Sequence, residues 1–150
     1  MLALNNDAVP AVSGLDPGAL DALLAECSHA VVADAGGGID GFYITFRPGA
    51  SYRSQNYRWF SERYAEFEYL DRIVVAESAR GGGLGAGLYG ELEARIAGEV
   101  PVLLCEVNVK PRNEGSLRFH HRLGFREVGQ QDTEGGAKRV SMLAKPITAA

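Results

Sequence analysis

The stretch YLDRIVVAESARGGGLGAGL, residues 69–88, decides how the rest of the chain is read. Ile73, Val74 and Val75 make a short β-branched run of the kind that favours a strand. After a small-residue hinge come Arg80, Gly81, Gly82, Gly83, Leu84, Gly85 and Ala86, and the chain continues into LYGELEARI. Leu84, Leu88, Leu92 and Ile96 recur four apart, one face of an amphipathic helix. The glycines therefore fall between a strand and the first turn of a helix. There the leading N–H groups have no intrahelical partner, and the helix dipole adds partial positive charge. Bare backbone lets a diphosphate come close, so the loop reads as an anion cradle with Arg80 as a fixed cation beside it.

Two other phosphate loops do not fit. A Walker loop needs Lys and then Ser or Thr after its last glycine, whereas Gly85 is followed by Ala86 and Gly87. Gly83, Gly85 and Gly90 do not keep the G-x-G-x-x-G dinucleotide spacing, and Gly85, Gly87 and Gly90, which do, fall within the apolar helical period and not in the turn before it. Arg-x-x-Gly-x-Gly/Ala is met by Arg80, Gly83 and Gly85, with Ala86 behind. This resembles the pyrophosphate loop of the GNAT superfamily of acetyl-CoA-dependent acetyltransferases. NEGSLRFHHRLGF, residues 113–125, resembles the second half of that family's core through Asn113, Ser116, Leu117, Phe119 and the closing Gly124-Phe125. One helix and one strand separate the two motifs, as in the family.

With 150 residues, 46% of them hydrophobic, the chain can bury a sizeable core as a single domain over residues 1–150. A net charge of −4 argues against a nucleic-acid partner. No apolar run approaches a membrane span, and no charged-then-apolar leader opens the chain. Cys27 and Cys105 lack metal-ligand spacing and read as buried thiols of a reducing compartment, so a cytoplasmic protein without a metal is expected.

In chain order, MLALN reads as a short first strand. Residues 15–26 read as a helix with Asp16 as N-cap, Pro17 in its first position and Leu20, Leu23 and Leu24 as its apolar face. HAVVAD and GFYITF read as antiparallel strands joined at Gly36–Gly38. Tyr57, Phe60, Tyr64 and Phe67 fall on one helical face, while Tyr52, Asn56, Arg58 and Trp59 are candidates to line a substrate cleft. VLLCEVNV reads as a buried strand, EGSLRFHHRL as a helix, and FREVGQQ with KRVSMLAK as a closing hairpin.

The resemblance implies an α/β (α+β) fold. Its centre is a mixed, mostly antiparallel, twisted sheet of about six to seven strands with helices on both faces. In that family the fourth and fifth strands splay apart and the pantetheine arm enters between them. The backbone of Ile73, Val74 and Val75 would bond the arm and the acetyl carbonyl. Arg80 to Gly83, with Leu84, Gly85 and Ala86, would hold the pyrophosphate, and Asn113 and Ser116 would touch the arm from the other side. Asn113 also suits a helix N-cap. The family often has a Tyr acid where this chain has His120. A histidine there titrates near neutrality and is expected to protonate the leaving thiolate. Dimers are frequent among proteins of this kind.

Amine acetylation needs a neutral nitrogen and hence a proton acceptor. Glu106 is the candidate base, because a charge inside VLLCEVNV is out of place in a buried strand. Glu68 and Asp71 border the facing strand, and Asn108 shares the side of Glu106. The backbone N–H of Val75 is the candidate oxyanion donor. The resulting expectation is acetyl transfer from acetyl-CoA to a small-molecule amine, such as an amino acid or amine metabolite. The alternatives are a protein or peptide N-acetyltransferase, a non-catalytic acetyl-CoA-binding domain, and a dinucleotide-dependent enzyme.

Overall fold

Residues 1–34 and 36–148 are described by the structure, a computed structural model. The first half of the chain forms α1 (Leu2–Asp7), α2 (Pro17–Glu26), β1 (His29–Asp34), β2 (Ile39–Phe46), α3 (Gln55–Ser61) and β3 (Glu68–Val75). The second half forms α4 (Leu84–Ile96), β4 (Val102–Lys110), α5 (Glu114–Arg122), β5 (Arg126–Thr133) and β6 (Lys138–Pro146). The six strands make one sheet in the order β1-β2-β3-β4-β6-β5, antiparallel except where β3 meets β4. The expected mixed sheet is present, with six strands.

Each face of the sheet carries its own core. Phe42, Phe46, Tyr57, Phe60 and Met142 pack on the side covered by α1, α2 and α3. Leu88, Leu92, Ile96, Leu103 and Phe125 pack on the side covered by α4 and α5. The period-four apolar face read from the sequence is thus what seats α4. Asp16 caps α2, its Oδ1 accepting from the Ala19 N–H at 2.7 Å, but Leu24 faces solvent while Leu20 and Leu23 face inward.

Two expectations need correction. MLALN is not a strand but the start of α1. Met1, Leu4 and Ala8, at helical spacing, pack on the core, and buried Asn5 accepts from Arg72 Nη1 at 3.0 Å. The family's fourth and fifth strands are accordingly β3 and β4 here. The aromatic helix also ends earlier than its periodicity suggests: Tyr57 and Phe60 lie in α3, whereas Tyr64 and Phe67 follow it in the chain that leads to β3.

Trp59 is placed by a glycine seventy residues later. At the β5 bulge, a Cβ built on Gly129 would stand 2.6 Å from Trp59 Cζ2 and 2.8 Å from Cη2, so the indole lies on bare backbone. Arg63 covers the ring at 3.8 Å from its centroid. Gly129→Ala is expected to cost about 1–3 kcal/mol of stability through this overpacking, read as a lower urea midpoint at unchanged m.

Pairing between β3 and β4 is confined to Glu68↔Leu103 and Tyr69↔Leu104. Beyond these the strands part. Leu70–Val75 of β3 stay on β2, and Cys105–Lys110 of β4 stay on β6. That split positions everything that follows.

Candidate active site

A cavity of about 630 Å³ occupies the split. Leu70, Tyr89 and Cys105 in its wall belong to the core under α4 and α5, whereas Tyr52 and Val140 belong to the opposite core. The cavity therefore passes through the sheet. Two reactants entering from opposite faces would meet between the strands.

On the α4/α5 side, the β3 edge is free to bond an incoming chain. The Ala76 N–H donates to the Asp40 carbonyl at 2.7 Å, on the β2 side. By alternation along the strand, Val75 and Ile73 turn their N–H and C=O toward the split. The Val75 carbonyl accepts from Arg80 Nε at 3.3 Å, which ties the loop cation to that edge. Gly81 and Gly83 have φ of +85° and +81°, and Gly83 is the N-cap of the 13-residue α4. A Cβ on Gly83 would meet nothing within 4 Å, so the helix N-terminus is open to an anion. A Cβ on Gly85 would lie 3.6 Å from Phe119 Cζ and 3.9 Å from Val75 Cγ2, which brings loop, β3 and α5 together. Asn113 caps α5, its Oδ1 accepting from the Ser116 N–H at 3.2 Å, and both residues line the cavity with Ile73. Arg80 to Ala86 lie outside the cavity wall, and Val74 points into the opposite core. A free strand edge, a through-sheet cavity and an open helix N-terminus together fit acetyl-CoA.

On the other side stands Glu106. Its carboxylate accepts from Tyr69 Oη at 2.8 and 2.9 Å and from Asn56 Nδ2 at 3.1 Å, while Asn56 Oδ1 accepts from Gln131 Nε2 at 2.9 Å. Burial, and then the nearby Asp71 charge, push the Glu106 pKa up to about 8, against the pull of its two hydrogen-bond partners and Arg72. Asp71 also lines the cavity, but Tyr52 Oη donates to it at 2.6 Å and Arg72 Nε at 2.7 Å. Glu68 is fully buried and bound to Arg47 Nε at 2.8 Å and to the Ser28 hydroxyl, which makes it structural. Asn56, Tyr52 and Asn108 reach the cavity; Trp59, packed on Gly129, does not.

The family model for the acetyltransferase (GNAT) domain matches residues 22–145. The chain belongs to the GNAT acetyltransferase family. It is an acetyl-CoA-dependent acyltransferase by that membership. Ard1 from Thermoplasma volcanium shares the fold at a TM-score of 0.76 with 14% identity, over 98% of this chain and 88% of that one. A GNAT family acetyltransferase from Elizabethkingia anophelis, solved with acetyl-CoA bound, gives 0.69 and 17% over 96% and 88%. Ribosomal-protein-alanine N-acetyltransferase from Brucella melitensis gives 0.69 and 25% over 97% and 91%.

Within this GNAT domain, His120 is arranged differently from the expected acid. It is buried, and its Nδ1–H donates to the Ser116 carbonyl at 2.7 Å. That leaves Nε2 as an acceptor, and the Tyr89 hydroxyl donates to it. Burial lowers the His120 pKa, so the ring is neutral near pH 7 and presents no proton to the cavity. His121, one residue on, is exposed. Tyr69, Tyr89 and Gln131 are not marked by any motif; the polar tips of the two tyrosines on otherwise apolar positions are their only sequence signal, and Gln131, in a polar run, carries none. Cys105 is buried and Cys27 half-buried, both as free thiols. Among the described residues no group of three or more His, Cys, Asp and Glu could hold a metal ion, and no helix is long and apolar enough to cross a membrane.

Proposed function

We propose that this GNAT domain moves the acetyl group of acetyl-CoA directly to the amine of a small acceptor, with Glu106 as the proton acceptor. The observation that carries this reading is Glu106 itself, a half-buried carboxyl group in the split between β3 and β4 whose pKa is pushed up to about 8. A base near neutral suits an amine that must lose a proton before it attacks. Acetyl-CoA supplies the activated acyl group. Ile73 and Val75 would hold its arm by backbone bonds, Asn113 and Ser116 would flank it, and Arg80 with the Gly81–Ala86 loop would take the diphosphate. The Val75 N–H is the group aimed at charge developing on the acetyl oxygen. Tyr52, Asn56 and Asn108 would line the acceptor.

The charge balance on the acceptor side narrows the amine. The lining cations are both paired, Arg72 Nε with Asp71 at 2.7 Å and Lys138 Nζ with Glu134 at 3.7 Å. A carboxylate next to the amine would face Glu106 and Asp71 without a free cation, so an amine metabolite is favoured over a free amino acid. A peptide or protein N-terminus, which also lacks that carboxylate, is the second reading. Its support is a mouth walled by two surface segments, Val9–Gly14 and the β5–β6 turn at Thr133–Lys138. The test is thiol release from acetyl-CoA with matched amines, amino acids and short peptides. Turnover at least about tenfold faster for the amine than for the matching amino acid is expected. A preference for the amino acid would overturn this assignment, and peptide-only turnover would establish the second reading.

A further inference from the structure

Tyr89 is a buried phenol with no role in the reading above, yet it lines the cavity on the side of Asn113 and Ser116. Its ring is clamped edge-on against His120 and Phe125, with centroids 5.3 Å and 5.7 Å away, and tilted against Phe119 at 5.9 Å. The ring is held; the hydroxyl can still turn about its C–O bond. At rest its proton points at His120 Nε2, an acceptor because Nδ1–H is committed to the Ser116 carbonyl.

We propose that the Tyr89 hydroxyl is the donor that stabilises the departing CoA thiolate, resting on His120 until negative charge appears on sulphur. The inference rests on the acetyl-transfer reading. A hydrogen bond to an anion is about twice as strong as one between neutral groups, so the hydroxyl turns to sulphur only as the C–S bond breaks. Such an interaction exists in the transition state and not in the ground state, and that raises kcat. The electron pair of the broken bond stays on sulphur, the proton stays on the Tyr89 oxygen, and the thiolate leaves for solvent. Burial holds the phenol pKa well above its usual value, so Tyr89 acts as a donor and does not become a phenolate. His120, where the family resemblance places a tyrosine, is then a positioning residue.

The test reads the thiol and needs no turnover. CoA bound to the full chain is titrated from about pH 6 to about pH 10 by its thiolate ultraviolet absorbance, with the dethio-CoA complex as blank. The other groups facing Tyr89 are Cys105 and Glu106 on β4, His120 on α5 and Glu93 on α4, and all stay in place in Tyr89→Phe. In that variant the bound thiol is expected to titrate about one pH unit higher than in the wild type, a tenfold loss of preference for the thiolate. With acetyl-CoA, kcat should fall about tenfold at unchanged KM. His120→Ala frees the hydroxyl and should leave the thiol titrating at or below the wild-type value. Equal titration in Tyr89→Phe and wild type, or a rise in His120→Ala, would overturn the proposal. Wild-type protein that binds no CoA would instead defeat the acetyl-CoA reading on which it rests.

Discussion

Glu106→Gln is expected to lower kcat by about 10²- to 10⁴-fold while KM for acetyl-CoA stays near the wild-type value. Glutamine keeps the shape of the side chain and can still bond Tyr69 and Asn56, but it has no oxygen basic enough to take the amine proton. The wild-type profile should rise with pH through a limb set by Glu106, whose pKa stands at about 8 in the free protein. An arriving ammonium stabilises the carboxylate and draws that limb downward when substrate is bound. The variant should lack the limb. Stability gives an independent readout with its own sign. The native state holds the Glu106 proton up to about pH 8, whereas the ordinary carboxyl value is 4.5, so native protein binds more protons in that window. The Glu106 contribution to wild-type stability therefore falls as pH rises from about 4.5 toward about 8, and the Gln variant, which carries no such proton, should gain on the wild type over the same range. Full activity of Glu106→Gln with an unchanged pH profile would place the base elsewhere.

What could be read from the sequence was what is encoded locally. The glycine loop announced itself because a helix start between a strand and an apolar period leaves little choice for residues 80–86, and Gly81 and Gly83 do take left-handed φ. Asn113 was legible as a cap because a cap depends on the next three residues, and its Oδ1 does meet the Ser116 N–H. Glu106 stood out as a charge in a run of buried apolar residues. The rest is decided by distant partners. Asn5 is buried in a helix because Arg72, 67 residues on, donates to it, and nothing near MLALN signals this. Trp59 has the composition of a cleft residue, and Gly129 on another strand takes it out of the cleft. Tyr89 and His120 are each unremarkable on their own helices: one falls in an apolar period, the other beside a second histidine. Only the packing of α4 against α5 turns them into a donor and its acceptor.

Gly83→Val is expected to weaken acetyl-CoA binding by about two orders of magnitude, the equivalent of about 2.7 kcal/mol. Gly83 sits at φ +81°, where a β-branched residue is a steric outlier, so valine must move the first turn of α4 or carry the strain. Its Cβ would clash with nothing in the free protein, since no atom lies within 4 Å. The damage therefore falls on the bound state: the isopropyl group projects into the open space over the helix N-terminus that the diphosphate is proposed to fill. Strain alone predicts a different outcome, and a second glycine separates the two. Gly98, just beyond α4, has φ +79° and the same empty surroundings. Gly98→Val should cost a similar amount of stability and leave acetyl-CoA affinity intact. Calorimetric titration of both variants, beside their denaturation midpoints, makes the comparison. Equal affinity in Gly83→Val and wild type would remove the Arg80–Ala86 loop from the cofactor site. Equal losses in the two variants would trace the effect to a loosened fold. A loss confined to Gly83→Val is what a backbone cradle for the diphosphate requires, because only there does the added side chain occupy the ligand's own space.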